Sequence, residues 1–197
     1  MKFELPARLA RRIPDPVFHQ EFGSERYLLY VEVDELPQDI PLDPNAHTPN
    51  VRKRVYKDVL KSLFNEDCTE GTFHLKNKGI TILADSVKRV EGESGDDDVY
   101  VVSLKNGHGI VDGGHTYELI IGGQDTGDLP EQYVKVEIQT KVPDEWITDI
   151  AGGLNTSVQV QDMSLDNLSG SFDWIKEELA NESYLDAIAW SENEAGP

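Results

Sequence analysis

Residues 133–142, YVKVEIQTKV, alternate apolar and polar side chains almost without a break. That period of two is the pattern of a strand buried on one face. Such a strand cannot stand alone: Val134, Val136 and Ile138 need a sheet to lie in and an apolar layer to meet. RYLLYVEVDEL (26–36) carries the same alternation and predicts a second strand. GITILAD (79–85), SVKRVEG (86–92) and VYVVSL (99–104) predict three more, the last two antiparallel across a turn in ESGDDD (93–98). Helical periodicity appears elsewhere. Thr48-Pro49 has the form of a helix N-cap followed by proline in the first turn, and the helix runs to about Leu63. Val51, Val55, Val59, Leu60 and Leu63 form its apolar face, and Lys53, Lys57 and Lys61 a stripe at spacing four. PDEWITDIAGGLN (143–155) predicts a helix from Pro143, with Trp146, Ile147, Ile150, Ala151 and Leu154 inward and Gly152-Gly153 loosening its last turn. SFDWIKEELAN (171–181) predicts another, capped by Ser171. PQDIPLDPNAHTPN (37–50) and GGQDTGDLPEQ (122–132) are loop chemistry. Strands and helices are mixed without regular alternation, so the expected class is α+β, a mixed or mostly antiparallel sheet flanked by helices.

A chain of 197 residues is long enough for one buried core with a small satellite. The expected organisation is an α+β core over 1–142 and an acidic helical segment over 143–197, packed on that core and truncated, since YLDAIAWSENEAGP closes no element. No apolar run is long enough for a membrane span and no signal segment opens the chain, so no membrane partner is expected. The single cysteine, Cys68, has no internal disulfide partner, which fits a reducing cytoplasm. The net charge of −19 is uneven. Residues 1–61 hold 10 basic and 10 acidic side chains, residues 62–141 hold 7 and 15, and residues 142–197 hold one, Lys176, against 12. Phosphate binding scales with clustered Lys and Arg, so the chain is a poor coat for DNA, and any nucleic acid must use a local patch. The acidic helices after residue 142 are expected to bind a protein partner or mimic DNA, and a homo-oligomer is a further expectation for the chain. Trp146, Trp174 and Trp190 are expected in the core more than at such an interface.

HGIVDGGHTYELI (108–120) departs from ordinary packing chemistry. Ile110-Val111 end a strand, and a helix is expected from Thr116 onward, with Gly113 and Gly114 in the turn between. Glycine permits positive φ and close approach of a ligand to the backbone. The first amides of a helix are unpaired and carry partial positive charge, which suits a phosphate or carboxylate. Thr116 can cap the helix or bind an anion, His115 can donate a hydrogen bond or act as acid or base, and Asp112 can orient His115 or fix the turn. As a purely structural device, the same residues make a capped bend. Neither the Walker loop nor the dinucleotide fingerprint is present. Two further polar clusters flank apolar elements. FHLKNKGITIL (73–83) sets His74, Lys76, Asn77 and Lys78 before Gly79, and GLNTSVQVQDMSL (153–165) sets Asn155 and Thr156 past a helix end. The three clusters are expected to meet in one cleft.

Together these segments resemble the abortive-infection phage-resistance, or AIPR, family, whose members carry in order an Asn-Gly-Ile-Thr-Ile strand, an Ile-Val-Asn-Gly-x-Gln-Thr turn and an Asn-Thr-Gln element. Asn77, Gly79, Ile80, Thr81 and Ile82 fit the first with Lys78 inserted; Ile110, Val111, Gly113 and Thr116 fit the second; Asn155 and Thr156 fit the third. Asp112 and His115 depart from the family's Asn and Gln. Asp-Gly-x-His in turn resembles, more distantly, the Asp-Gly-Gln-His-Arg motif of ParB/sulfiredoxin-like proteins, in which this turn binds nucleotide phosphate; Thr116 replaces the final Arg. The resemblance covers about residues 40–165. It implies prokaryotic antiviral defence, a ParB/sulfiredoxin-like fold and a chain shorter than its relatives.

Three functions follow as expectations. One is a defence module that binds a phosphate-bearing ligand, nucleotide or nucleic acid, on the Gly113-Gly114 turn, with Lys76, Asn77, Lys78, Gly79, Thr116, Asn155 and Thr156 in support and a nucleotide, with or without Mg, as cofactor. A second is a metal-dependent phosphoryl-transfer or nuclease-type hydrolase with His115 as acid or base and Asp112 as its partner, although no dense metal-ligand cluster is visible. The third is an acidic protein-interaction module in which the turn only shapes the fold.

Overall fold

A computed structural model of the chain describes residues 1–42, 44, 54–66, 69–91, 98–155, 170–180, 182, 188 and 190. It divides into two compact units, Met1–Thr156 and Ser157–Pro197. The first unit holds two sheets. Strands β1 (Lys2–Ala7), β6 (Asp98–Ser103) and β5 (Ser86–Val90) form an antiparallel sheet in the order β1-β6-β5. Strands β2 (Leu9–Pro14), β3 (Glu25–Glu32), β8 (Tyr133–Thr140), β4 (Ile80–Ala84) and β7 (Gly109–Asp112) form the second, in the order β2-β3-β8-β4-β7. All its neighbours are antiparallel except β4 and β8, which run parallel. Among the described residues the helices are α1 (His19–Phe22), α2 (Arg54–Leu63), α3 (Phe73–Lys76), α4 (Gly114–Thr126), α5 (Ile147–Asn155) and α6 (Asp173–Glu178). The α+β class with mostly antiparallel sheets is therefore observed.

The alternation in 133–142 does what its period requires. Val134, Val136 and Ile138 are fully buried, and Thr140 nearly so. In β3 the inward set is Tyr27, Leu29 and Val31, which the antiparallel register sets opposite Ile138, Val136 and Val134. These side chains share one core with Phe3 and Leu5 of β1, Tyr100 and Val102 of β6, Leu63 of α2 and Ile120 of α4. Strand β4 is buried on both faces. Ile80 and Ile82 enter the main core, while Leu83 joins Val111 and Ala151 of α5 in a smaller one. That explains why GITILAD is apolar almost throughout rather than alternating.

Several expectations change. Helix α4 begins at Gly114, two residues before Thr116, and continues through Gly122-Gly123 to Thr126, so residues 122–126 are helix and not loop. Two tertiary anchors outweigh the poor helix propensity of glycine. The Gln124 side-chain amide donates to Val33 O at 2.7 Å and Leu36 O at 2.9 Å. A Cβ at Gly123 would lie only 2.6 Å from Leu129 Cδ2, so glycine is what lets that leucine close on the helix. In α2, Leu63 is buried and Val59 packs on the core, but Leu60 is 40 % exposed, so the core covers only part of the expected apolar face. Pro143 precedes a 3-10 turn, Asp144–Trp146, and α5 proper starts at Ile147. In the second unit α6 spans only Asp173–Glu178; Phe172, not Ser171, stands at its N-cap, with no side-chain cap hydrogen bond. Trp174 is 66 % exposed and not in a core. Strands β1 and β2 were not expected from the sequence. The expected cap at Thr48-Pro49, the turn at 93–97, Cys68 and Thr156 lie outside the described residues.

Candidate functional site

The strand-to-helix turn is made by close backbone stacking. Gly113 adopts the left-handed conformation, φ 82° and ψ 16°, and Gly79, at the entrance to β4, has φ 88°. A Cβ on Gly113 would fall inside the van der Waals shell of Gly79 O and 2.9 Å from Ile80 Cα. A Cβ on Gly79 would in turn overlap Lys135 O of β8. The two glycines therefore let three stretches of main chain pile on one another, and the segment 77–79 is held directly against the turn. Glycine is required at both positions for conformation and for space alike.

Side chains lock this stack. Asn77 Nδ2 donates to Thr116 Oγ1 at 3.0 Å, and the Thr116 hydroxyl donates back to Asn77 Oδ1 at 3.2 Å. The same Oδ1 accepts the Gly79 amide at 2.8 Å. Thr116 is 8 % exposed, so this reciprocal pair is largely shielded from water. At the other end of the motif, Asn155 Nδ2 donates to Val111 O at 2.8 Å and to Ala151 O at 2.7 Å, joining the last turn of α5 to β7. Asp112 Oδ1 accepts the Gly113 amide at 2.8 Å, so one main-chain donor of the turn is already held by a carboxylate.

The structure thus brings Asn77, Gly79, Gly113 and Thr116 into one constellation, with Asn155 tied to the strand beneath. Lys76 and Lys78 are exposed on the same segment as Asn77. Gly114 is buried in the first turn of α4, and Asp112 and His115 are half-buried. No hydrogen bond joins Asp112 to His115 among the described residues, since the Asp112 carboxylate turns to its own turn amide. His74 stands apart from the lysines: its ring packs edge-on against Tyr30, centroids 5.7 Å apart at 89°. Among the described residues, no three His, Cys, Asp or Glu side chains are grouped to hold a metal ion.

Tyr117 also belongs to the site's framework, although nothing local in the sequence marks it. Its hydroxyl accepts the Ile40 amide at 3.0 Å and donates to Pro37 O at 2.9 Å, pinning the 37–40 loop to α4. Burial raises the Tyr117 pKa, so the phenol stays a neutral donor and acceptor. Glu118, one residue on, is likewise raised by burial.

The chain matches the family model described as AIPR protein over residues 42–194, well over half its length. That match contains all three polar clusters. No curated protein and no solved structure matches the chain. No described helix is long and apolar enough to cross a membrane. On its motif order, the geometry that locks those motifs together and the extent of the match, the chain belongs to the AIPR family.

Proposed function

We propose that this AIPR-family domain, of the phage-defence class, holds a phosphate-bearing ligand, a nucleotide or a short stretch of nucleic acid, at the strand–turn–helix of residues 110–120. The observation that carries the reading is the stack of Gly113 on Gly79. It sets the exposed Lys76 and Lys78 segment beside the first turn of a 13-residue helix. Two cations and the partial positive charge at a helix N-terminus then act on the same anion. Asp112 opposes them. Its carboxylate occupies the Gly113 amide, and an incoming phosphate must displace it or approach with a divalent cation between. With no three-donor cluster among the described residues, such an ion arrives with the phosphates, and Asp112 is the carboxylate it meets.

The test is a titration of ATP and of short single-stranded DNA and RNA against the full chain, Lys76→Ala/Lys78→Ala and Asp112→Asn. The exposed lysines can be removed without disturbing the fold, and their loss is expected to weaken binding about tenfold, or ~1.4 kcal/mol. Asp112→Asn keeps the acceptor for Gly113 and removes the charge, so affinity is expected to rise severalfold. Wild type binding none of the ligands, or all three proteins binding alike, refutes the proposal. A partner-binding role for the second unit is supported by the exposed Trp174 on α6, next to Asp173 and near Glu177 and Glu178.

A further inference from the structure

The turn at Gly113 lies at one end of the five-stranded sheet, where β4 begins. At the opposite end, the carboxyl ends of the parallel pair β4 and β8 meet the start of β7. Three ionisable residues stand there, each next to a strand end: Asp85 after β4, Lys141 after β8 and His108 before β7. A cleft of about 440 Å³ opens among them, with Phe22 and Trp146 in its apolar wall.

Three features of this cleft are unexplained by packing. His108 is 3 % exposed, and neither ring nitrogen has a hydrogen-bond partner. Leaving such a group unpaired costs free energy that folds avoid unless the site has another use. Its nearest carboxylate is Asp144, 3.8 Å from Nε2, and that Oδ1 is engaged by Lys105 Nζ at 2.8 Å. Burial and Lys105 lower the His108 pKa, against the opposing pull of Asp144 and Asp85, which favours the neutral ring. Second, Lys141 is left-handed, φ 57°, its carbonyl held by the Ser24 hydroxyl at 2.9 Å. A side chain there is strained by ~1 kcal/mol relative to glycine. Third, the rim consists of two exposed ion pairs, Lys105–Asp144 at 2.8 Å and Lys141–Asp85 at 3.7 Å. Exposed pairs contribute little to stability and exchange partners readily.

The charges select the ligand. Lys105 and Lys141 are balanced by Asp85 and Glu145 in the lining, and Asp144 stands beside them in a chain of net charge −19. A phosphate dianion is repelled by that arrangement. A bare metal ion finds no three-donor set among the described residues. We propose that the cleft binds a small zwitterion bearing a flat apolar group, of the aromatic α-amino-acid class. Lys105 and Lys141 take its carboxylate, Asp85 and Glu145 its ammonium, and Trp146 and Phe22 its ring. When the ligand carboxylate draws Lys105 away, Asp144 is released to accept from His108 Nε2, which supplies the missing partner of the buried ring.

The experiment follows the Trp146 indole N–H and the His108 ring signals by NMR in the full chain during titration with L-phenylalanine. Parallel titrations use phenylpropionate, which lacks the ammonium, phenethylamine, which lacks the carboxylate, and AMP. Saturable shifts of both residues with phenylalanine are expected, with each half-ligand at least about tenfold weaker, the loss of one charged contact. Lys105→Met and Glu145→Gln, both at the solvent-exposed rim, are each expected to weaken phenylalanine while leaving the spectrum elsewhere unchanged. In Lys105→Met the His108 signals are expected to resemble those of the bound wild type, because Asp144 is already free. No shift with phenylalanine, equal binding of the half-ligands, or displacement of phenylalanine from Trp146 by AMP overturns the proposal.

Discussion

Gly113→Ala tests the backbone stack that the candidate site is built on. Two penalties are separable from the structure. Gly113 sits at φ 82°, and an L-residue with a Cβ in that region is disfavoured by about 1–2 kcal/mol. The new methyl also meets Gly79 O and stands 2.9 Å from Ile80 Cα. These are main-chain atoms of a strand pinned between β7 and β8, and they cannot swing aside as a side chain can. Forcing a methylene-sized group into such packing costs a further ~1–3 kcal/mol. The expected loss is therefore about 2–5 kcal/mol, the sum of the two ranges. Gly127, the C-cap of the same helix, supplies the control. It too is left-handed, φ 72°, but a Cβ there meets nothing within 4 Å, so Gly127→Ala should show only the ~1–2 kcal/mol conformational term. Urea denaturation of the two variants and wild type, compared at equal m, gives both numbers. Equal midpoint shifts for the two variants would refute the close approach of Gly79 to Gly113, and with it the claim that segment 77–79 is held against the turn.

Two further expectations use the same unfolding assay. Thr116→Val and Asn77→Ala remove the two halves of a reciprocal hydrogen-bonded pair, so a double-mutant cycle is expected to give a coupling of ~1 kcal/mol; an additive cycle would show that the pair contributes nothing jointly. The folded-state pKa of His108 lies below the ordinary value of 6.5, so the folded state binds fewer protons there than the unfolded one. That contribution to stability is complete above 6.5 and is lost as pH falls through the folded-state value. His108→Phe should flatten the dependence of the urea midpoint on pH on the acid side of neutrality, and an unchanged slope would place the acid sensitivity elsewhere.

How much of this was legible in the sequence depends on where each signal lies. Strands β3 and β8 are visible because every second residue is apolar and meets one core. Strand β1 alternates as well, burying Phe3, Leu5 and Ala7, but Pro6 and the following arginines mask it. Strand β2 has no apolar face to detect: Leu9 and Ile13 are 59 % and 50 % exposed, and it is held at the sheet edge by the backbone ladder to β3. The extension of α4 through two glycines is fixed by Leu129, beyond the helix end, and by the Val33 and Leu36 carbonyls, far off in the chain, and none of these contacts leaves a periodic trace within the helix itself. The convergence of Asn77 with Gly113 and Thr116 was readable only as two polar clusters that each flank an apolar element. Their partners were not, because a hydrogen bond spanning 39 residues has no periodicity. Asp85, His108 and Lys141 each occupy an ordinary position after or before a strand; the parallel pairing of β4 with β8 brings Asp85 and Lys141 together, and the antiparallel pairing of β7 with β4 adds His108.

The family motif now divides into two kinds of position. Asn77, Gly79, Gly113, Thr116 and Asn155 fit the motif, and each is engaged with main chain or with another member. Their first role is to fasten α4, β4, β7 and α5 together, and any function of the site inherits that frame. Asp112 and His115 depart from it and are both partly open to solvent, although the Asp112 carboxylate also accepts the Gly113 amide. On the proposed reading, a ligand approaching the turn meets Asp112, His115 and the exposed Lys76 and Lys78 before it meets the frame. Substitution of a frame residue lowers stability whether or not a ligand binds, so loss of binding in Thr116→Val or Gly113→Ala cannot separate architecture from recognition. Asp112→Asn, which keeps the acceptor for Gly113, and removal of the two lysines leave the stack and the Asn77–Thr116 pair in place, and a change in affinity there reports on the ligand.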